Sequence, residues 1–452
     1  DTSVRFVNFT LVLCCGNGMA FVVSIAKTLR NHWKKSIFFT LAGGYGIKYG
    51  HDRYEEHLLR RVYCAEAKKY GDEKISLSEK PRKVTVFLNP AAHSGKSRKL
   101  FEKNAAPILH LAGIEVNVVR TEYEGQVKKF ISVLEEGETD AVIVAGGDGT
   151  LLEAVTGILR KEDRKFHKTP VGVIPLGNHN TFSRLFYGVD KGHVRMMVDA
   201  AMAVVKNVTK KVDVLKVDGG EGKTTFALCG MEIGAYRDAE ARKSKYWYFG
   251  PLKSRWTHIR TAMKDWPPVV KANVSYVEAT EENMKQVEEE EEKERKASWS
   301  FWRFLLRKKQ VVQEAEQRDL MMKTTAEVED ENKVSGEIST LEISLMSPNM
   351  ISEQELAGIH LEIGPEEPTR TQVISEGWQR MKRKAPRYGS DDNKQLLVKD
   401  VSIALDVPET QSEPIWYNID GESFEAIPVR VSLLQKKLNF FCPVFEPTVN
   451  AS

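Results

Sequence analysis

The sequence lacks several features that would fix its class at once. Its 452 residues include five cysteines, Cys14, Cys15, Cys64, Cys229 and Cys442, an odd number with no C-x-x-C pair. That excludes a disulfide framework. Neither the cysteines nor the ten histidines cluster as structural zinc requires. One-sided charge is missing as well. A net charge of +3 argues against nucleic acid as a partner, because phosphate attraction along a whole surface needs a strong basic excess. Neither G-x-x-x-x-G-K-[ST] nor G-x-G-x-x-G occurs, so two common nucleotide signatures are absent. Four Asn-x-Ser/Thr matches, at Asn8, Asn207, Asn273 and Asn450, are too short a pattern to argue secretion. With 41% hydrophobic and 29% charged residues, the composition is that of a globular chain of two or three units.

Acid is missing from one stretch altogether. Between Thr2 and His51 there is no Asp or Glu, while Lys27, Arg30, Lys34, Lys35 and Lys48 are basic. Residues 1–80 carry 13 Lys/Arg and 8 Asp/Glu, an excess of five, so the rest of the chain is net −2. Basic, acid-free and amphipathic is the make-up of mitochondrial targeting arms. Residues 6–26 and 36–47 are uncharged, and the second run is shorter than the ~20 apolar residues a spanning helix needs. Two readings stay open: a buried or disordered arm, or a targeting segment with a membrane anchor. The chain opens on Asp1, and Met19 reads as a plausible start.

Over residues 83–206, strand and helix signals alternate. Apolar strands are predicted at 83–88, 114–120, 140–145 and 171–174, with helices over 97–112, 124–136 and 151–160. Loops rich in breakers follow three of the strands: Asn89-Pro90 through Lys96, Gly146-Gly147-Asp148-Gly149-Thr150, and Pro175-Leu176-Gly177-Asn178-His179-Asn180-Thr181. Strand, glycine loop, helix, repeated, predicts a parallel sheet with ligands at the carboxyl ends of its strands. In the second loop, glycine lets the backbone approach a ligand. The helix start offers free N–H groups to phosphate. Asp148 can serve a magnesium ion or a reacting hydroxyl, and Thr150 can cap or donate. The alternative is a mere strand–helix turn.

From Asn207 the rhythm changes to short strands (212–217, 225–229, 272–276, 339–346, 358–363, 400–405) with one helical segment at 250–265. A strand-dominated second domain, a sandwich, is expected. Asp420-Gly421-Glu422 lies between strand signals, and as an Asp-Gly pair it is also an ordinary hairpin turn.

Taken in order, Asn89-Pro90, Gly146–Thr150, Pro175-Leu176-Gly177 and Ile419-Asp420-Gly421-Glu422 resemble the diacylglycerol-kinase catalytic family of lipid kinases. The segments 101–111 and 244–248 and the arm 27–35 are similar to its mitochondrial acylglycerol kinase branch. The resemblance implies an α/β plus β architecture. A phosphofructokinase-like nucleotide domain at 81–206, following an N-terminal arm and linker at 1–80, precedes a β-sandwich domain at 207–446. It implies Mg²⁺-assisted transfer of the ATP γ-phosphoryl to mono- or diacylglycerol. Asn89, Pro90, Gly146, Gly147, Asp148, Gly149, Thr150, Gly177 and Asn180 would hold the nucleotide. Asp420 would be the general base, with Asp148 the other catalytic candidate, and Asp148 and Glu422 would organise the metal. The family loop is P-L-G-T-x-N-D; here Asn178 replaces the Thr and Thr181 the Asp, which puts the loop's polar contacts in doubt. The resemblance also implies a mitochondrial inner-membrane location facing the intermembrane space, and association with the carrier translocase. The alternatives are a NAD kinase, which shares the Gly146–Thr150 loop, and a non-catalytic membrane scaffold.

Residues 278–336 fit no strand pattern and contain Glu288 to Glu292, five acids in a row. After them come Trp299, Trp302, Arg303, Phe304 and Arg307 within 298–309, a composition expected at a membrane interface. A helix packed on the domain is the plainer possibility.

Overall fold

The computed structural model describes residues 33–74, 80–135, 137–161, 165–189, 191–220, 222–263, 266, 269–279, 333–351, 357–383, 387–390, 392–406 and 415–443. The expected membrane-contact residues Trp299 to Arg307 and most of the charged insert fall outside them. Residues 1–62 and 63–452 form two compact units.

In the first unit, helix α1 (Trp33–Gly71) begins, and from Trp33 through Glu55 its described side chains are exposed. The uncharged run at 36–47 is helical, and its described side chains are exposed. Among the described residues, no helix is long and apolar enough to cross a membrane.

The second unit starts as the alternation predicts. Strands β1 (Lys83–Leu88), β2 (Glu115–Arg120), β3 (Ala141–Gly146) and β4 (Val171–Pro175) run parallel in the order β2-β1-β3-β4. β3 reads AVIVAG and is buried along its whole length, as a parallel strand covered on both faces must be. The helical 97–112 segment is two pieces, α2 (Ser97–Asn104) and α3 (Ala106–Leu111), with Pro107 in the first turn of the second. The expected helix at 124–136 is shorter, α4 (Gln126–Val133). α5 runs Asp148–Arg160, three residues earlier than its apolar periodicity indicates, because Gly147 in an extended conformation caps it. α6 (Thr181–Tyr187) and α7 (His193–Lys206) follow.

The chain then turns to antiparallel pairing. β5 (Thr209–Asp218), β6 (Thr224–Ala227), β7 (Gly230–Gly234), β8 (Val270–Glu278), β9 (Lys333–Thr340), β10 (Glu342–Met346), β11 (Ile359–Ile363), β12 (Lys394–Leu405), β13 (Trp416–Ile419), β14 (Glu422–Glu425) and β15 (Val429–Phe441) complete the set. What reads as one strand at 339–346 is the end of β9 and all of β10. The 250–265 helix is a 3₁₀ segment, Arg242–Leu252, followed by α9 (Lys253–Met263), with α8 (Ala235–Ala241) before them. α10 (Arg370–Lys382) has no counterpart in the sequence reading, although Thr369 and Gln372 form a complete capping box.

β15 joins the two halves. Its early residues pair with β12 and most of its length with β5, while Phe440 pairs with Val171 of β4. Among the described residues, all fifteen strands thus belong to one hydrogen-bonded network. Two large apolar cores flank the junction: one around Phe87, Val144, Val155 and Phe440, the other around Leu215, Ile343, Leu361, Val401 and Tyr417. Each fully buried Ile, Leu or Phe in them contributes about 1.5–3 kcal/mol.

Candidate active site

The carboxyl ends of β1, β3 and β4 deliver the three glycine-containing loops to one place, and hydrogen bonds stitch them together. The Asn89 backbone N–H donates to the Ala145 carbonyl (3.1 Å), and its side-chain amide donates to Thr150 Oγ1 (3.1 Å). The Gly146 carbonyl accepts from the backbones of Leu176 and Gly177, at 2.9 and 3.0 Å. Gly147 and Gly177 sit back to back: a methyl on Gly147 would lie 3.2 Å from the Gly177 Cα, and one on Gly177 would run into the Gly147 Cα. Glycine is required at 177, and a side chain at 147 would be crowded.

Asp148 is buried at the start of α5. Its Oδ2 accepts the Thr181 backbone N–H at 2.7 Å, so this carboxylate caps α6 and ties the second loop to the third. Burial pushes its pKa up, and hydrogen bonds from Thr181 and Phe182 pull it back. Asn180, which matches the family pattern, closes the third loop on itself. Its Oδ1 accepts from Gly177 N (3.1 Å) and its amide donates to the Gly177 carbonyl (2.8 Å). Thr181, which departs from the pattern, reaches Asp148 through both its backbone N–H and its side chain.

Asp420 and Gly421 form the two-residue turn between β13 and β14, with φ of 48° and 88°, as the Asp-Gly pair predicts. The turn does more than reverse the chain. Asp420 Oδ1 accepts the Cys229 and Gly230 amides, both at 2.9 Å, and Oδ2 accepts Leu228 N at 2.6 Å. Three backbone donors hold one carboxylate, and burial still raises its pKa to about 6, so it is ionised at neutral pH. No polar side chain occurs at 228–230, so the sequence carried no signal for this grip.

Both corners line one cleft of about 650 Å³ that includes Asn89, Pro90, Gly147 to Thr150, Gly177, Asp420 and Glu422. Gly146 stands behind it as the acceptor just described, and Asn180 acts through Gly177. Three more acids, Glu122, Glu124 and Glu153, are lining residues that sequence reasoning missed. The Glu422 carboxyl lies against the Gly149 Cα, in the space a methyl would take. Burial and the neighbouring Glu124, Glu153 and Asp148 raise its pKa. Six carboxylates line the cleft (Glu122, Glu124, Asp148, Glu153, Asp420 and Glu422), against Lys128 and Arg160, and Arg160 is spent on the Thr224 carbonyl.

The family described as Diacylglycerol kinase catalytic domain matches residues 83–217, and that described as Acylglycerol kinase C-terminal matches 228–447. The Xenopus laevis protein named Acylglycerol kinase, mitochondrial, is 39% identical over 425 residues, 94% of this chain and 96% of the relative. The Homo sapiens protein of the same name is 37% identical over 421 residues, 92% and 96%. The chain belongs to the acylglycerol kinase family. As a member it is an ATP-dependent lipid kinase, which sets the NAD-kinase alternative aside. A third family, described as Inner membrane protein import complex subunit Tim54, matches residues 30–133 and overlaps the diacylglycerol kinase match. Among solved structures, a putative diacylglycerol kinase from Bacillus anthracis str. Sterne aligns over 82% of this chain and 100% of its own, at 18% identity and a TM-score of 0.49.

Proposed function

We propose that this chain transfers the γ-phosphoryl of ATP to the free hydroxyl of mono- and diacylglycerol, forming lysophosphatidic and phosphatidic acid at the mitochondrial inner membrane, on the intermembrane-space side. The observation that carries the reading is the buried Asp420 carboxylate, aimed by three amides in the same cleft as the glycine loop. A base of pKa near 6 is matched to work at neutral pH. Asp420 takes the proton of the acceptor hydroxyl as its oxygen attacks the γ-phosphorus, and ADP departs. The loops at Asn89-Pro90, Gly146 to Thr150 and Gly177 to Asn180 cradle the phosphates, with the first-turn N–H groups of α5 facing the charge.

Mg²⁺ fits the residues present. Glu422 has no hydrogen-bonding or ion-pairing partner among the described residues, and its acidic neighbours raise its pKa. All-oxygen donors suit a hard cation. Asp148, Asp420 and Glu422 do not converge as a ready-made three-ligand group, in keeping with an ion held by one or two carboxylates and the substrate's own phosphates. In this reading Glu422 and Asp148 organise the ion, and Asp148 also ties the loop beside it. When bound, Mg²⁺ offsets the phosphoryl charge.

In this reading the nucleotide unit is 81–206 and the lipid-facing, sandwich-like half is 207–446. Trp299 to Arg307 are an interfacial contact, and the basic arm leading into α1 is the anchor. The translocase match over 30–133 favours a second role, in which the first part of the chain associates with the inner-membrane carrier translocase.

The test is labelled ATP with magnesium and acylglycerol in detergent. Asp420→Asn should lose about 10²–10⁴-fold in kcat while still binding ATP. Full transfer by that variant overturns its role; absence of transfer by the parent chain overturns the kinase reading. For the second role, removal of residues 1–80 should abolish co-purification with translocase subunits, and unchanged recovery would count against it.

A further inference from the structure

Away from the cleft, residues 241–263 carry six Lys/Arg, at 242, 243, 245, 253, 255 and 260, and no acid. The first half of this stretch, Arg242–Leu252, has no buried residue. Its rings pack on one another instead of on a core: Tyr248 on Phe249 at 4.9 Å, and Phe249 stacked on Trp256 at 4.9 Å. Trp247 is 76% exposed, Tyr248 62%, Leu252 56% and Met263 65%. The platform beneath is firm. α9 buries Thr257, His258, Thr261 and Ala262, with His258 against Gly377 of α10. Lys243 pairs with Glu240. Lys245, Lys253 and Arg260 make no ion pair among the described residues. α8, the helix just before, reaches the acidic hairpin, because Arg237 donates to Ser423 Oγ at 2.7 Å.

We propose that the 242–263 segment is a docking surface for an anionic phospholipid bilayer. Its purpose rests on the lipid-kinase reading; its geometry does not. Tryptophan and tyrosine with one apolar and one polar end settle at the headgroup boundary. Lysine and arginine that no acid pairs, here Lys245, Lys253 and Arg260 among the described residues, are drawn to a negative leaflet. A protein groove would satisfy the rings but would not require a stretch free of acid, so charge complementarity selects the membrane. The surface then stands seven residues of α8 from the hairpin that holds Asp420, where an acceptor hydroxyl drawn from the bilayer is needed.

Full-length protein is floated with vesicles of phosphatidylcholine alone and of phosphatidylcholine with phosphatidic acid, in parallel with kinase assays on monoacylglycerol in detergent. The expected result is binding to the anionic vesicles that weakens with salt. The Trp247→Ser/Tyr248→Ser and Lys245→Glu/Lys253→Glu variants should each lose about tenfold or more of it, with detergent activity unchanged. Parent-like vesicle binding by the charge-reversed variant overturns the proposal, and that variant decides alone if the aromatic one loses detergent activity too. No vesicle binding by the parent also overturns it and leaves a protein partner as occupant. A deletion of 298–309 runs alongside; if it removes all binding while both double variants bind fully, the surface lies there and not here. Vesicle binding through these residues without any phosphorylation would leave the surface standing and sink the kinase reading.

Discussion

The two walls of the cleft use the backbone in opposite ways. On the parallel-strand wall, the amides of Asn89 and Gly177 are spent inside the wall, so the donors left for a ligand are the first-turn N–H groups of α5 at Gly149 and Thr150, which have no intrahelical acceptor, and the one buried acid, Asp148, caps α6 behind them. On the antiparallel wall, the N–H groups of Leu228, Cys229 and Gly230 are consumed by Asp420. One wall offers donors to a substrate anion; the other spends its donors to hold an anion of its own. A kinase cleft needs both, because the phosphates must be received and the acceptor's proton removed.

The sharpest way to break this contrast is Gly177→Ala. The new methyl meets the backbone of Gly147, which cannot step aside, so stability should fall by about 1–3 kcal/mol. Displacement of the loops should cut kcat/KM by about 100-fold or more; thermal melting and steady-state kinetics read both. Next comes Asp148→Ala, which removes the cap on α6. We predict about 1 kcal/mol of lost stability and a rise in KM for ATP of about tenfold, with kcat less affected, the reverse of Asp420→Asn. Equal effects of the two substitutions on kcat alone would erase the distinction between the walls. The smallest effect is expected for Gly149→Ala. Its methyl meets the far end of a flexible side chain, Glu422, which can swing away. Melting should hardly change, while the magnesium concentration for half-maximal activity rises several-fold. An unchanged magnesium requirement would remove Glu422 from the metal's surroundings.

Sequence reasoning reached the parallel wall more fully than the other. Strands such as β3 are unbroken apolar runs, and the loops after them are spelled in Gly, Pro, Asn and Asp, so element and chemistry are visible together. Boundaries were harder. α5 begins at Asp148 because a glycine caps it, and Pro107 splits an apparently continuous helix. On the antiparallel wall the Asp-Gly turn was legible, but its holder is three main-chain amides, and main chain has no spelling. Glu124 enters the cleft from the loop before α4 and Glu153 from the middle of α5, where nothing local marks them. The helix α10 did carry a capping signal at Thr369 and Gln372, hidden by the charged sequence after it.

The grip on Asp420 has one more consequence. Its partners lie 190 to 192 positions earlier in the chain, so everything from β7 to β13 is an excursion that leaves the reacting corner and returns to it. Because the entropy of closing a flexible loop grows only logarithmically, about 0.6 kcal/mol per doubling, relatives can lengthen or shorten the acidic stretch after β8 without disturbing the geometry at either end.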